Sequence, residues 1–212
     1  MAVPYSNLLI DELPKIVTIG GAEYEIKSDF RTSLLFEMLM DDNTVPDEDK
    51  GLQALRLYYP VIPHKQNEVA EAIDKILWFY RCGKEPNEYM RKKQEKQAES
   101  GQKQSKIYDV NYDDDYIYAA FIQQYGINLN YVEYMHWWEY RALFKALTNE
   151  TEFVKIMEYR GMDISKDLTQ EQKSFYKKMK AIYALPQPKE ETERMRAIEA
   201  ALLGDGKVNG LL

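Results

Sequence analysis

The chain has 212 residues and a mass of 25.0 kDa, of which 45% are apolar, 13% aromatic and 30% charged. That is material for one large domain or two small ones with a real core, and it excludes a disulfide mini-scaffold and an aromatic-poor disordered chain. A net charge of −7 repels a polyanion, the single Cys82 permits no internal disulfide, and neither an 18-residue apolar run nor a signal peptide is visible. The expectation is a soluble protein of a reducing cytoplasm that binds neither nucleic acid nor membrane.

In chain order, Lys15–Ile19 and Glu23–Lys27 alternate apolar and polar residues around Gly20-Gly21, which predicts a β-hairpin. Two strands alone are marginal in water, so the hairpin must pack on helices. Ser28 or Asp29 can cap a helix from Phe30 to Met40; Pro46 opens a second from Asp47 to Tyr58; a third runs from Asn67 to Cys82 and stops at Gly83. Residues 1–83 therefore read as a hairpin plus three helices.

Residues 84–106 offer only Tyr89, Met90 and Ala98 as apolar side chains, and basic residues outnumber acidic ones. Such a stretch buries too little surface to offset ordering costs of roughly 1–2 kcal/mol per residue, so it reads as a flexible charged linker. Beyond it, residues 107–212 read as an aromatic-rich helical part that can also pack with 1–83 as one domain. Asp113-Asp114-Asp115 precede a helix from Tyr116 to Tyr125 that Gly126 closes, and an apolar run predicts a long helix from Tyr131 to Thr148. Asn149 or Thr151 can cap a short helix ending at Gly161, and Thr169 with Gln172 forms a capping box for Gln170 to Ala184. Pro186 and Pro188 break that helix, and an amphipathic one from Lys189 to Leu203 follows, with Met195, Ile198 and Leu202 on a stripe. The fold class expected is mainly α, with a small N-terminal β-hairpin packed on the helices.

Catalytic constellations are sparse. One cysteine and two histidines, His64 and His136, cannot make a Cys/His zinc cluster, and no glycine spacing matches a phosphate-cradling loop. Cys82 as a nucleophile would sit at a helix C-terminus, where the dipole disfavours a thiolate. Glu25 and Lys27 share a strand face with Asp11 upstream, as in some metal-dependent nucleases, but simple alternation on a half-solvated strand produces the same pattern. Asp113, Asp114 and Asp115 lack the spacing that wraps oxygens around calcium and read as helix-start charge. No enzyme activity, catalytic residue, cofactor or metal is expected. What stands out instead is aromatic crowding between Tyr108 and Phe144, suited to core margins and to protein interfaces, because Tyr and Trp join an apolar body to a polar tip.

Three stretches resemble one family. The hairpin leading into Lys27-Ser-Asp-Phe-Arg31, the tyrosine-rich run Tyr116-Ile-Tyr-Ala-Ala-Phe-Ile-Gln-Gln-Tyr-Gly-Ile-Asn-Leu129, and Met135-His-Trp-Trp-Glu-Tyr-Arg-Ala-Leu-Phe-Lys-Ala-Leu147 are similar to the bacteriophage gene product fifteen proteins, encoded among the tail genes of siphophages and prophages. The His-Trp-Trp motif is the specific one, and the likeness extends from about residue 10 to 185. Asn128 stands where the family often has aspartate, and Tyr140 where it often has phenylalanine. The resemblance implies a tail-assembly chaperone that coats the tape-measure protein, working in the bacterial host cytoplasm. The alternative is a structural virion component at the tail or head–tail junction. Partners so implied are the tape-measure or other tail proteins, with self-association also open. Contacts are expected through His136, Trp137, Trp138, Tyr140, Tyr134 and Tyr118, although a His-Trp-Trp run inside an apolar helix is more often packed core than a binding face.

Overall fold

A computed structural model describes residues 7–84 and 106–186. Most of the expected linker, the Lys189–Leu203 helix and the tail lie outside the described residues. The chain is mainly α, with one two-stranded antiparallel sheet and seven helices among the described residues. By contact it falls into two compact units, Met1–Ser105 with Asp109–Lys155, and Lys106–Tyr108 with Ile156–Leu212. The segment from Asp109 to Lys155 thus shares a unit with the hairpin and the first three helices.

In the first unit, β1 (Ile16–Ile19) pairs with β2 (Ala22–Glu25) through Ile16↔Glu25 and Ile19↔Ala22. The two turn residues, Gly20 and Gly21, have φ of 58° and 81°. A two-residue turn with both φ positive matches the twist of the flanking strands, and glycine takes it without steric cost. Val17 and Ile19 are buried on one face while Ile16 and Thr18 stand exposed on the other. A later helix holds the turn: Gly20 N–H donates to Glu71 Oε2 at 2.9 Å, and the Tyr24 hydroxyl donates to Glu68 Oε2 at 3.4 Å.

Helix α1 (Phe30–Asp41) starts where its cap dictates, since Asp29 is extended and its carboxylate accepts from Arg31 N–H. It buries Phe30, Ser33, Phe36 and Leu39. Helix α2 (Asp47–Tyr58) opens after Pro46 with Asp47, Glu48 and Asp49 in its first turn, where the dipole favours negative charge. Buried hydroxyls are satisfied: Ser33 Oγ and Tyr58 OH share a 2.8 Å hydrogen bond, and Tyr59 OH donates to Ala72 O at 2.9 Å. Helix α3 (Gln66–Tyr80) ends two residues earlier than its apolar stripe suggests, because Cys82 and Gly83 are both left-handed, with φ of 58° and 68°.

Helix α4 (Asp114–Tyr125) ends at left-handed Gly126 as expected. The next element corrects the sequence reading. In place of one helix from Tyr131 to Thr148, helix α5 covers only Trp137–Lys145. His136 is its cap, extended at ψ 141°, and the preceding chain is pinned to the Ser28–Phe30 backbone: Phe30 N–H donates to Met135 O at 2.9 Å, and Trp137 N–H to Ser28 O at 2.8 Å. Tertiary backbone pairing therefore takes the peptide groups that a longer helix would have used internally. Helix α6 (Glu152–Gly161) begins in the first unit and ends in the second. In the second unit, α7 (Gln170–Ile182) starts at the Thr169/Gln172 capping box that its sequence predicts.

Candidate functional site

The Asp-Phe-Arg and His-Trp-Trp stretches, about a hundred residues apart in sequence, fold into one junction. Asp29 and His136 form an isolated antiparallel bridge there. Arg31 clamps the incoming loop, its Nη2 donating to Leu129 O at 2.9 Å and Val132 O at 2.6 Å, while Nη1 lies 3.2 Å from the Asp29 carboxylate. A guanidinium suits this task because its planar fork donates to several acceptors in fixed directions.

His136 organises the other side. Its Nδ1 accepts from Trp138 N–H at 3.1 Å, so the neutral ring carries its proton on Nε2, which donates to Pro14 O at 3.1 Å. Its own backbone N–H donates to Glu139 Oε2 at 3.0 Å, which completes a capping box with histidine in the serine position. Burial pushes the imidazole below its ordinary pKa, so the ring stays neutral where this hydrogen-bond pattern requires it.

The tryptophans that follow seal a helix end. Trp137 Nε1 donates to Tyr80 O at 2.9 Å and Trp138 Nε1 to Phe79 O at 2.8 Å, which satisfies carbonyls at the C-terminus of α3. Gly83 makes room: a Cβ there would lie 2.8 Å from Trp138 Cη2. Tyr140 is stacked between Phe30, at 4.9 Å between centroids, and Phe121, at 5.1 Å, with Trp137 and Phe144 beside it. His136, Trp137, Trp138 and Tyr140 are all buried, at 3% exposure or less. Four of the six residues expected to touch a partner are thus the interior of the junction, and Tyr118 on α4 is half-buried. A run of rings on one short capped helix buries them because each nitrogen and ring face finds a partner inside.

Tyr134 is the member of that set that reaches the surface. Its hydroxyl shares a 2.8 Å hydrogen bond with Ser28 Oγ, Lys15 Nζ sits 4.8 Å above its ring, and it is 45% exposed. Tyr131, three residues earlier, is 85% exposed. Sequence reading missed it by placing it inside a helix. The signal that could have freed it was His136-Trp-Trp-Glu139, an N-cap pattern that starts the helix after residue 136. Arg31, which holds the Tyr131 loop, was likewise visible only as part of a motif.

A family model described as bacteriophage Gp15 protein matches residues 9–185. The chain belongs to that family. No curated protein and no solved structure matches it. Membership makes this a bacteriophage protein and points to a structural or morphogenesis role. In this Gp15 protein the junction just described unites two of the stretches that carried the resemblance.

The remaining chemistry-bearing residues are dispersed. Glu25 and Lys27 are exposed beside a shallow, open recess of about 370 Å³, lined also by Lys15, Ser28, Asp29 and Tyr134. Asp113 is buried and accepts from Asp109 N–H at 2.9 Å, whereas Asp114 and Asp115 occupy the first turn of α4. Cys82 is half-buried, and burial pushes its thiol up. Among the described residues, no group of three His, Cys, Asp or Glu side chains could hold a metal ion, and no helix is long and apolar enough to cross a membrane.

Proposed function

We propose that this Gp15 protein is a non-enzymatic morphogenesis factor, a tail-assembly chaperone that binds the tape-measure protein. The observation that carries this reading is the exposed aromatic loop mounted on the junction, with Tyr131 and Tyr134 facing solvent while Arg31 and Ser28 hold the loop from beneath. Rings presented on a pre-ordered backbone lose little conformational entropy on binding, and tyrosine offers apolar area with a wet tip, so one loop can grip many sequences. A chaperone needs that tolerance because its client is long and varied. Support for a non-enzymatic role comes from Glu25 and Lys27, which stand in solvent around an open recess instead of converging in a water-excluding cleft.

Tagged protein recovered from infected cells tests this. Tape-measure protein should co-purify, mature particles should lack the chain, and Tyr131→Ser with Tyr134→Ser should reduce the recovery without changing the far-ultraviolet circular dichroism. Stoichiometric retention in purified particles would instead make the chain a structural component of the tail or head–tail junction.

A further inference from the structure

The second unit carries a different surface. Helix α7 buries none of its side chains, although its sequence is strongly amphipathic. Phe175 and Ile182 are 48% and 57% exposed. They are seven residues apart, so they share one face two turns apart, about 10 Å along the axis. Tyr159 and Tyr176 flank Phe175 with ring centroids 6.1 and 5.4 Å away, both edge-on, so the ring is held in place while about half of the residue stays in water. Glu171 and Lys178, also seven residues apart and both exposed, lie together on one flank of that stripe.

We propose that this face of α7 docks on α7 of a second copy of the chain, antiparallel, across a two-fold axis passing between Ser174 and Phe175. The occupant follows from the charge pattern. A two-fold axis perpendicular to the helix keeps each flank on its own side and reverses its direction, so Glu171 of each copy meets Lys178 of the other. The same operation brings Phe175 close to its own counterpart at the centre, and sets Ile182 against the Asp167-Leu168 turn that precedes the Thr169 cap, where Asp167 is exposed and Leu168 half-buried. A parallel two-fold runs along the helices and sends each flank to the opposite side, so Glu171 and Lys178 of the two copies would not meet. The contact is small: one helix face about 20 Å long buries less than the roughly 1,000 Å² of a stable interface. Association is therefore weak, and the dimer fraction rises between about 10 μM and about 1 mM.

Sedimentation velocity of the full chain across that range tests the pairing. The wild type should shift from monomer towards dimer, Phe175→Asp should abolish the shift, and Glu171→Lys should weaken it about tenfold. The double reversal Glu171→Lys with Lys178→Glu should restore it, which no general loss of folding could mimic. A wild type that stays monomeric throughout overturns the proposal, as does a dimer indifferent to these variants. So does a monomer that dimerises only after deletion of the residues beyond Pro186, since that assigns the face to the chain's own following segment.

Discussion

The two units use aromatic side chains in opposite ways. In the first, Trp137, Trp138 and Tyr140 are interior, with both indole nitrogens bonded to carbonyls of α3 and the phenol ring stacked between Phe30 and Phe121. In the second, Phe175 and Tyr183 each pack on Tyr159, Phe175 edge-on and Tyr183 nearly parallel to it, yet α7 buries no side chain fully. Ring content therefore says little about ring location. What decides it is whether a second layer of structure covers the ring and whether its polar atom has a partner there. The first unit supplies both through the long-range pairing of Ser28–Arg31 with Leu129–Trp137, and the second leaves its helix half-covered.

Variants can break this contrast in graded steps. The largest effect is expected for Trp137→Ala, which opens a cavity beside the stacked Tyr140 and removes the indole N–H that bonds Tyr80 O; a loss of about 3–5 kcal/mol in denaturant unfolding is the expected outcome, and a loss under about 1 kcal/mol would mean the junction is not the core of that unit. Gly83→Ala comes next, because a left-handed backbone costs an L residue roughly 1–2 kcal/mol and the new methyl would collide with Trp138. The same unfolding measurement should show a midpoint shift accompanied by altered tryptophan fluorescence.

His136 sharpens the contrast through pH. Burial holds its folded-state pKa below the unfolded value of about 6.5, so the unfolded chain binds the proton more readily. Its contribution is complete above about pH 6.5 and is lost as pH falls towards the depressed folded value, by at most about 1.4 kcal/mol per pH unit. His136→Asn retains an acceptor at the cap and removes the titration, so its stability should fall less steeply than wild type between pH 7.5 and 5. Parallel slopes would show that the imidazole does not titrate on unfolding. The smallest effect belongs to Phe175→Ala, expected at about 1 kcal/mol or less because the ring is already half in water; a loss as large as that of Trp137→Ala would erase the difference between the units.

Much of the local structure was legible. The Gly20-Gly21 turn, the Asp29 cap, Pro46 ahead of α2, Gly126 after α4 and the Thr169/Gln172 box each act within a few residues, and each stands where it was expected. The misplaced element was α5, for which apolar composition suggested twice the observed length. Its start is set by the local His136/Glu139 capping box together with hydrogen bonds to residues about a hundred positions upstream, and no local window contains the second of these. Tyr131 followed the same error, and its exposure became apparent only once the loop before α5 was in place.

Short-range rules thus account for the mainly α architecture, the hairpin and most helix ends, since capping, turn chemistry and periodicity are properties of neighbouring residues. The choice of which rings become core and which become surface belongs to the assembled chain. A phenol or an indole is compatible with either place, and only the packing of distant segments provides the stacking partner and the carbonyl that draw it inside.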